Sequence, residues 1–400
     1  GATFAGGRGV HGVPLSQAAA GGKGFRRGGP CRFGGGAVKI IAKLFVLLAM
    51  LLGLPLLGIM AAGMPVEPYL EFPPRTRFVT HPPFSWPVFW GLAALVVAAV
   101  APFVLRGVTA KTAAPGRLEG RARTFPWWGW AGVAISCGTW ILAWNRFPWL
   151  GSLQNHTFAP LWLGYILAMN GLVFRRRGRS PLTHHTRAYL SLFPISALFW
   201  WCFEYLNRFV QNWHYVGEPF DAWSYFWYAT LPFSTVLPAV LATRAWVRSF
   251  SWPEAKFRGF LPVRVPHPRG LAWTVLALAG AGLACIGVLP GVLFPLLWIS
   301  PLLILISLET LFSERHVLSP LTRGEWDGVV TAALAALVCG FFWEMWNVYS
   351  HAKWVYSIPY VHRFQIFEMP ILGYAGYLPF GLECVAAAEL FLGRQERGFP

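Results

Sequence analysis

Two glutamates stand inside strongly apolar stretches of this sequence, and each is followed three residues later by an asparagine. They are Glu204 with Asn207 and Glu344 with Asn347. Residues three apart share one face of an α-helix, so each pair presents a carboxyl group beside an amide. A carboxyl group in apolar surroundings can donate a proton, orient a polar group or clamp a neighbouring helix. Catalytic and purely structural roles are both open for Glu204 and Glu344.

Aromatic and polar residues follow each glutamate closely, as Trp213 does after Glu204 and Trp354 after Glu344. Aromatic rings can stabilise positive charge through their π-faces, which suits a binding site for a reactive lipophilic molecule. They also favour the membrane–water interface, so an interfacial belt is the alternative. The predicted substrate-binding residues are Asn207, Asn347, Trp213, Trp354, Tyr215, Tyr356, His351 and Glu368.

A third carboxyl group, Glu383, lies near the middle of the last apolar run, close to Pro379. Charging a carboxyl group in hydrocarbon costs several kcal/mol, so we expect Glu383 to be protonated or paired. It is a candidate proton donor, and a satisfied buried acid is the alternative. Pro379 predicts a bend in the helix that carries it.

A metal site could in principle combine both paired glutamates with His351, which lies seven residues after Glu344. That placement requires the helix of Glu344 to continue through His351. The spacing matches no established metal motif, so the sequence predicts neither a metal nor another cofactor.

Membrane helices must position these residues, because the composition leaves too little polar surface for a water-facing body. Of the 400 residues, 56% are hydrophobic and only 12% are charged, against about 25% charged in soluble proteins. Trp occurs 22 times. The apolar runs, each near the ~20 residues that span a bilayer, are 40–63, 86–106, 127–146, 158–174, 190–210, 223–246, 271–290, 293–312, 328–348 and 371–392.

Basic residues are concentrated in every second loop between these runs, as the positive-inside rule requires for cytoplasmic loops. This alternation predicts ten helices in the cytoplasmic (inner) membrane, with both termini in the cytoplasm. It also accounts for the net charge of +17 without nucleic acid as a partner. Membrane lipids are the expected partners. The basic residues of these loops are Arg106, Lys111, Arg117, Arg121, Arg123, Arg175, Arg176, Arg177, Arg179, Arg187, Arg248, Lys256, Arg258, Arg264, Arg269, Arg315, Arg323, Arg394 and Arg397.

Two features of the N-terminal region need separate interpretation. Residues 1–38 contain 13 glycines and no acidic residue, which predicts disorder. The first apolar run, which has Lys39 and Lys43 at its start and small residues at its end, fits an uncleaved helix, and a cleaved signal peptide is the alternative. Residues 39–126 would then hold two N-terminal membrane helices.

An internal repeat organises the rest of the chain. Ser180-Pro181-Leu182-Thr183 recurs as Ser319-Pro320-Leu321-Thr322, Glu204 and Asn207 recur as Glu344 and Asn347, and Trp213-His214-Tyr215 is echoed by Trp354-Val355-Tyr356. The repeat predicts a first four-helix unit at 127–247 and a second at 271–392. Four is an even number, so both units enter the membrane from the same side and are parallel.

The segments 203–217 and 367–383, which read FEYLNRFVQNWHYVG and FEMPILGYAGYLPFGLE, resemble an uncharacterised family of bacterial polytopic membrane proteins with an internal duplication. That resemblance covers roughly 127–392 and implies no particular activity.

The order of features within each unit also resembles the small-domain lycopene cyclases of carotenoid synthesis. In that family each unit has an acidic residue late in one helix, then a W-x-Y-like stretch, then a helix led by proline. Here Pro232-Phe233-Ser234 and Pro370-Ile371-Leu372 stand where that family has P-x-E-E or P-x-E-D. The resemblance implies a shared scaffold and an isoprenoid or carotenoid substrate.

Three functions are compatible with these patterns. The first is an intramembrane enzyme that acts on a lipophilic substrate, such as an isoprenoid or carotenoid, between the units, with Glu204, Glu344 and Glu383 as catalytic candidates. The second is a small-solute transporter, and the third is a non-catalytic assembly subunit in which the Glu–Asn pairs only clamp helices.

Overall fold

A computed structural model describes residues 34–110, 123–217 and 220–392, without the side chains of residues 34–36 and 152. Most of the predicted disordered segment 1–38 lies outside these ranges. So do several of the loop residues used to predict orientation: Lys111, Arg117, Arg121, Arg394 and Arg397.

Ten long helical segments follow one another in the described chain. They are α1 (Ala37–Ala61), α2 (Trp86–Thr109), α3 (Trp127–Trp144), α4 (Phe158–Arg177), α5 (Thr186–Val210), α6 (Ala222–Val247), α7 (Pro268–Cys285), α8 (Pro295–Leu311), α9 (Asp327–Val348) and α10 (Tyr377–Leu392). Short helical turns between them are Glu67–Leu70, Pro148–Leu150, Gly151–Gln154, Pro181–His184, Trp252–Phe257, Pro290–Leu293, Ser319–Arg323 and Ile371–Gly376. The strands are β1 (Trp213–Val216), β2 (Lys353–Tyr356), β3 (Gln365–Ile366) and β4 (Met369–Pro370).

Seven helical segments of the described residues are long and apolar enough to cross a membrane, which confirms a helical membrane protein. They are α1, α2, α4, α6, α7, α9 and the segment Ile371–Leu392 that contains α10. Helix α8, with 17 residues, is apolar but short. Helices α3 and α5 have 18 and 25 residues, and they fall short in mean hydropathy rather than in length.

Helices α6 and α10 form the centre of the helical body. The second part of α6, Val236–Val247, packs against α4, α5, α9 and α10, while α10 packs against α5, α6, α8 and α9. Both are lined by small or branched apolar side chains such as Ala239, Val240 and Ala386, which are almost fully buried. Such side chains allow close helix–helix approach in a membrane.

Prolines shape both central helices, although differently from the sequence-based prediction. Pro238 has no N–H for the carbonyl of Ser234, and the run predicted as 223–246 is broken between Phe233 and Val236. Pro379 was expected to bend its helix, but it lies in the first turn of α10, where its missing N–H costs little. The predicted run 371–392 therefore starts as the 3₁₀ turn Ile371–Gly376.

Helix α1 is an integral part of the helical body. A Cβ on Gly58 would overlap the backbone carbonyl of Ala284 in α7, so the two helices meet at backbone contact. At the other end of α1, Lys43 Nζ lies 2.7 Å from Glu314 Oε2 and 3.9 Å from Glu309 Oε1. Leu51 is buried between these two points.

The two S-P-L-T segments differ in structure, and only the first forms a capping box. Ser180 caps the turn Pro181–His184, because its Oγ accepts from the Thr183 N–H and the Thr183 Oγ1 accepts from the Ser180 N–H. The second copy instead forms the 3₁₀ turn Ser319–Arg323. There Ser319 Oγ accepts from the His316 N–H at 2.8 Å.

Candidate functional site

Glu204 lies near the end of α5, and one of its carboxyl oxygens accepts three hydrogen bonds. The donors to Oε1 are Trp200 Nε1 at 3.1 Å, Trp213 Nε1 at 3.1 Å and the Tyr215 hydroxyl at 2.5 Å. The residue is 6% exposed. Three donors from the chain itself make Glu204 a well-satisfied buried carboxyl group.

Glu344 lies at the matching position near the end of α9 and is fully buried. Its Oε1 accepts from the hydroxyls of Tyr356 and Tyr377, each at 2.7 Å. Its Oε2 is buried and has no hydrogen-bond partner among the described residues. A buried oxygen without a partner is costly for an ionised carboxylate, which makes Oε2 the natural place for a proton.

The two asparagines hold the chain that follows each helix. Asn207 Nδ2 donates to the Trp213 carbonyl at 2.8 Å, and Asn347 Nδ2 donates to the Trp354 carbonyl at 2.7 Å. Each Oδ1 accepts backbone N–H groups from the same stretch, with Trp354 N at 2.9 Å from Asn347 Oδ1. Both amides are therefore engaged by their own polypeptide and position the strands rather than face an open site.

Strands β1 and β2 form a two-stranded antiparallel ribbon over the glutamates. Trp213 pairs with Tyr356, His214 with Val355, and Tyr215 with Trp354. Alternate residues of a strand share one face, so these four aromatic residues lie on one side of the ribbon. Three of them donate to the carboxyl groups directly, and Trp354 Nε1 donates to the Tyr356 hydroxyl at 2.8 Å. The ribbon brings together the aromatic residues predicted from sequence.

His214 lies on the opposite face of this ribbon. Burial, and to a smaller extent the positive charge of Arg77, lower the pKa of His214 to about 4. Its imidazole is therefore neutral at pH 7, and it adds no positive charge above the carboxyl groups.

Four aromatic residues connect the surroundings of the two carboxyl groups, and we call them the aromatic seam: Trp200, Phe203, Trp343 and Phe380. The Phe380 ring lies 5.9 Å from the ring of Trp200, 5.9 Å from that of Phe203 and 6.2 Å from that of Trp343, measured between centroids. Trp200 donates to Glu204. Trp343 stacks on Tyr377, which donates to Glu344. Packed aromatic rings therefore fill the region between the two carboxyl groups, and their π-faces can stabilise positive charge.

Other predicted residues lie away from this seam. Helix α9 ends at Val348, so His351 does not continue the stripe of Glu344 as proposed. Glu368 is held by Lys353, whose Nζ lies 2.5 Å from Oε1. Among the described residues, no three His, Cys, Asp or Glu side chains are grouped as a metal site would require.

Glu383 lies in α10, two turns beyond the Glu344 cluster. It is 2% exposed, and neither of its carboxyl oxygens has a hydrogen-bond partner among the described residues. Tyr377, six residues earlier, donates its hydroxyl to Glu344 and not to Glu383. A carboxyl group this isolated is held in its protonated form.

Two donors to the glutamates were missed by the sequence-based reasoning. Trp200 precedes Glu204 by four residues, a helical spacing that could have revealed it. Tyr377 lies 33 residues after Glu344, and no local signal links them.

Arg208 lies one turn after Glu204 in α5, a spacing at which the two side chains could pair. In the structure its Nη2 contacts Glu71 Oε2 at 3.4 Å and the Pro68 carbonyl. Glu71 precedes α2, so Arg208 ties α5 to the segment between α1 and α2 rather than neutralising Glu204.

The paired carboxyl groups can hold or transfer protons beside an aromatic seam, and this capacity follows from their contacts. No family model, curated protein or solved structure matches this sequence.

Proposed function

We propose that the protein is a ten-helix inner-membrane protein built from two parallel four-helix units, with both termini in the cytoplasm. Supporting the repeat, α6 packs on α9 while α10 packs on α5, so each unit contributes the same helix to its neighbour. The ribbon has the same reciprocity, because Trp213 pairs with Tyr356 and Tyr215 with Trp354. Such self-complementary pairing is typical of a twofold relationship.

Retention of α1 as an uncleaved helix is part of this proposal. Lys43 near the start of α1 and Gly58 near its end both contact the second unit. Removing α1 would leave Glu309 and Glu314 without that lysine, and it would expose the face of α7 around Ala284.

The proposed activity is acid–base chemistry on a lipophilic, isoprenoid-like substrate at the aromatic seam. The observation that carries it is the Glu344 carboxyl group, whose Oε1 is fixed by two tyrosine hydroxyls while Oε2 has no partner. A proton on Oε2 can add to a carbon–carbon double bond and leave a carbocation. Aromatic faces such as those of Trp343 and Phe380 stabilise that cation. Loss of a proton from a neighbouring carbon to Glu344 then regenerates the acid, so the step is a redox-neutral isomerisation or cyclisation.

The test is mass spectrometry of lipids extracted from cells that express the protein. Glu344→Gln keeps the shape of the side chain but removes the acidic proton, so the product should disappear and a precursor should accumulate. Glu67→Gln, at an exposed position outside the seam, is the matched control. If Glu344→Gln and Glu204→Gln both give the wild-type lipid profile with normal amounts of folded protein, the enzymatic proposal is wrong.

A structural clamp is the second candidate, and Glu204 favours it. Its Oε1 is occupied by three donors from the chain itself, and the neighbouring Asn207 is equally engaged. A clamp predicts that Glu204→Gln lowers the yield of folded protein and that it leaves the lipid profile of whatever folds unchanged.

A further inference from the structure

A cavity of about 910 Å³ lies at the end of the helical body opposite the β1–β2 ribbon. It opens between the last turns of α6, α8 and α10 and the first turns of α7 and α9. Five arginines line it, and we call it the basic cavity: Arg244, Arg248, Arg258, Arg315 and Arg323. Its volume falls within the range of about 300–1,000 Å³ that small-molecule sites occupy.

One wall of the basic cavity is apolar. Leu271 and Val275 of α7, Leu303 and Ile306 of α8, and Val385 of α10 contribute to it. Their side chains come from three helices and share the cavity with the arginines. A ligand that fills this cavity must therefore present both a charged and an apolar part.

Two of the five arginines are neutralised by carboxylates of the chain. Arg323 forms a bidentate salt bridge with Glu325, in which Nε donates to Oε1 at 2.8 Å and Nη2 donates to Oε2 at 2.7 Å. Arg258 lies 3.1 Å from Glu254 and 3.5 Å from Asp327. Neither arginine offers an uncompensated charge to a ligand.

The other three, Arg244, Arg248 and Arg315, have no carboxylate within 4.0 Å among the described residues. Arg244 also has a buried Nε without a hydrogen-bond partner in the described chain. Glu389 is the remaining acidic residue in the lining, and it acts on Arg244 only at longer range. The lining thus holds five arginines against three carboxylates, Glu325, Asp327 and Glu389, which leaves two positive charges in excess together with an unused guanidinium donor.

We propose that the basic cavity binds an amphiphile with a phosphate headgroup, an anionic phospholipid in the simplest case. The phosphate would lie among Arg244, Arg248 and Arg315, because guanidinium groups suit phosphate oxygens in number and geometry. The hydrocarbon chain would lie along the apolar wall of α7 and α8. Basic pockets between membrane helices are suited to anionic lipid headgroups in this way. The site is separate from the paired glutamates and does not depend on the proposed enzymatic activity.

The test is a titration of the purified full-length protein in detergent with short-chain phosphatidylglycerol, short-chain phosphatidylcholine or inorganic phosphate. Isothermal calorimetry gives each Kd. We expect saturable binding of phosphatidylglycerol and at least about tenfold weaker binding of the other two. Phosphate that binds as tightly as phosphatidylglycerol would overturn the assignment of an amphiphile, and equal binding of phosphatidylcholine would overturn the role of charge.

Matched variants locate the site. Arg248→Gln combined with Arg315→Gln should weaken phosphatidylglycerol binding by about tenfold or more, since each arginine contributes to phosphate attraction near the membrane surface. Arg179→Gln combined with Arg187→Gln removes the same charge from exposed positions outside the cavity, and should leave the Kd within about twofold. Equal weakening by both pairs would mean a diffuse surface charge effect and would overturn the proposed site. Both arginines of the test pair lie at least partly at the surface, so their replacement is compatible with folding.

Discussion

The ring of Tyr377 lies directly against Gly340, where a side chain on α9 would collide with it. A Cβ on Gly340 would lie 2.4 Å from Cε2 of Tyr377. Gly340→Ala should therefore push Tyr377 away from Glu344 and break the 2.7 Å bond between them. We expect the free energy of unfolding to fall by about 1–3 kcal/mol, as overpacked buried sites do. Thermal or denaturant unfolding in a fixed detergent measures the change.

Gly328 offers the matched control for this substitution. It lies in the same helix, α9, and a Cβ there would meet no atom within 4 Å. Gly328→Ala should be neutral or stabilising by up to about 1 kcal/mol, because alanine favours the helix. Equal losses in the two variants would contradict the proposed support of Tyr377 by Gly340.

A second prediction concerns the contact between α3 and α4, where glycines allow the backbones to touch. A Cβ on Gly132 would lie 2.7 Å from the Ala168 nitrogen and 2.7 Å from the Gly164 carbonyl oxygen. Gly132→Ala must separate the helices, and we expect a loss of about 1–3 kcal/mol. Gly138→Ala, in the same helix with open space around it, should leave the unfolding midpoint unchanged or slightly higher.

The third prediction tests the asparagine that holds β1. Asn207→Ala removes the bonds to the Trp213 carbonyl and to the Asn212 N–H. Buried groups left without partners cost about 1–3 kcal/mol, so the ribbon should open locally before the helices unfold. Hydrogen exchange of the β1 amides should become faster while that of α6 is unchanged. Asn145→Ala, whose amide bonds only its own helix, should leave exchange in β1 as in the wild type.

A fourth prediction is a pH dependence that arises from His81, in the segment between α1 and α2. Its Nε2 donates to the Val210 carbonyl at 2.6 Å, and its Nδ1 lies 2.5 Å from Ser357 Oγ. Burial lowers the pKa of His81 from 6.5, with a smaller contribution from His362. The unfolded chain therefore binds the proton more readily than the folded one, so stability present above about pH 6.5 is lost as the pH falls toward the folded pKa.

The measurement is the unfolding midpoint between about pH 7.5 and pH 5. The wild type should lose stability over this range, and His81→Gln should lose less of it. His267→Gln, at an exposed position, should follow the wild-type curve. A His81→Gln curve parallel to the wild type would show that another group is responsible.

Much of the helical architecture could be predicted because it depends on local patterns. Each of the ten predicted apolar runs overlaps one of the ten long helical segments of the described residues, and seven of those segments are long and apolar enough to cross a membrane. The pairing of Glu204 with Asn207 and of Glu344 with Asn347 on shared faces follows from helical periodicity. The break in α6 between Phe233 and Val236 was not predicted. It depends on the Ser234 carbonyl, which cannot accept a hydrogen bond from Pro238 because proline has no N–H.

The partners of these residues were harder to predict because they come from distant parts of the chain. Tyr377 reaches Glu344 through tertiary packing that depends on Gly340, and glycine has no side chain to announce the contact. Arg208 contacts Glu71, which is 137 residues away in the sequence, and not Glu204, which is one helical turn away. The basic cavity depends on the folding together of arginines from separate loops. The positive-inside pattern showed those loops but not the space between them.

Strands β1 and β2 depend on each other for their backbone hydrogen bonds. Strand β1 follows α5 and strand β2 follows α9, and a lone strand presents unpaired N–H and C=O groups that can pair with another strand. A chain that ended after α6 would lack β2, so β1 would have an unpaired edge beside Glu204. Two such fragments could satisfy these backbone groups only by pairing with each other. Each half of the protein therefore provides the hydrogen-bonding edge that the strand of the other half needs.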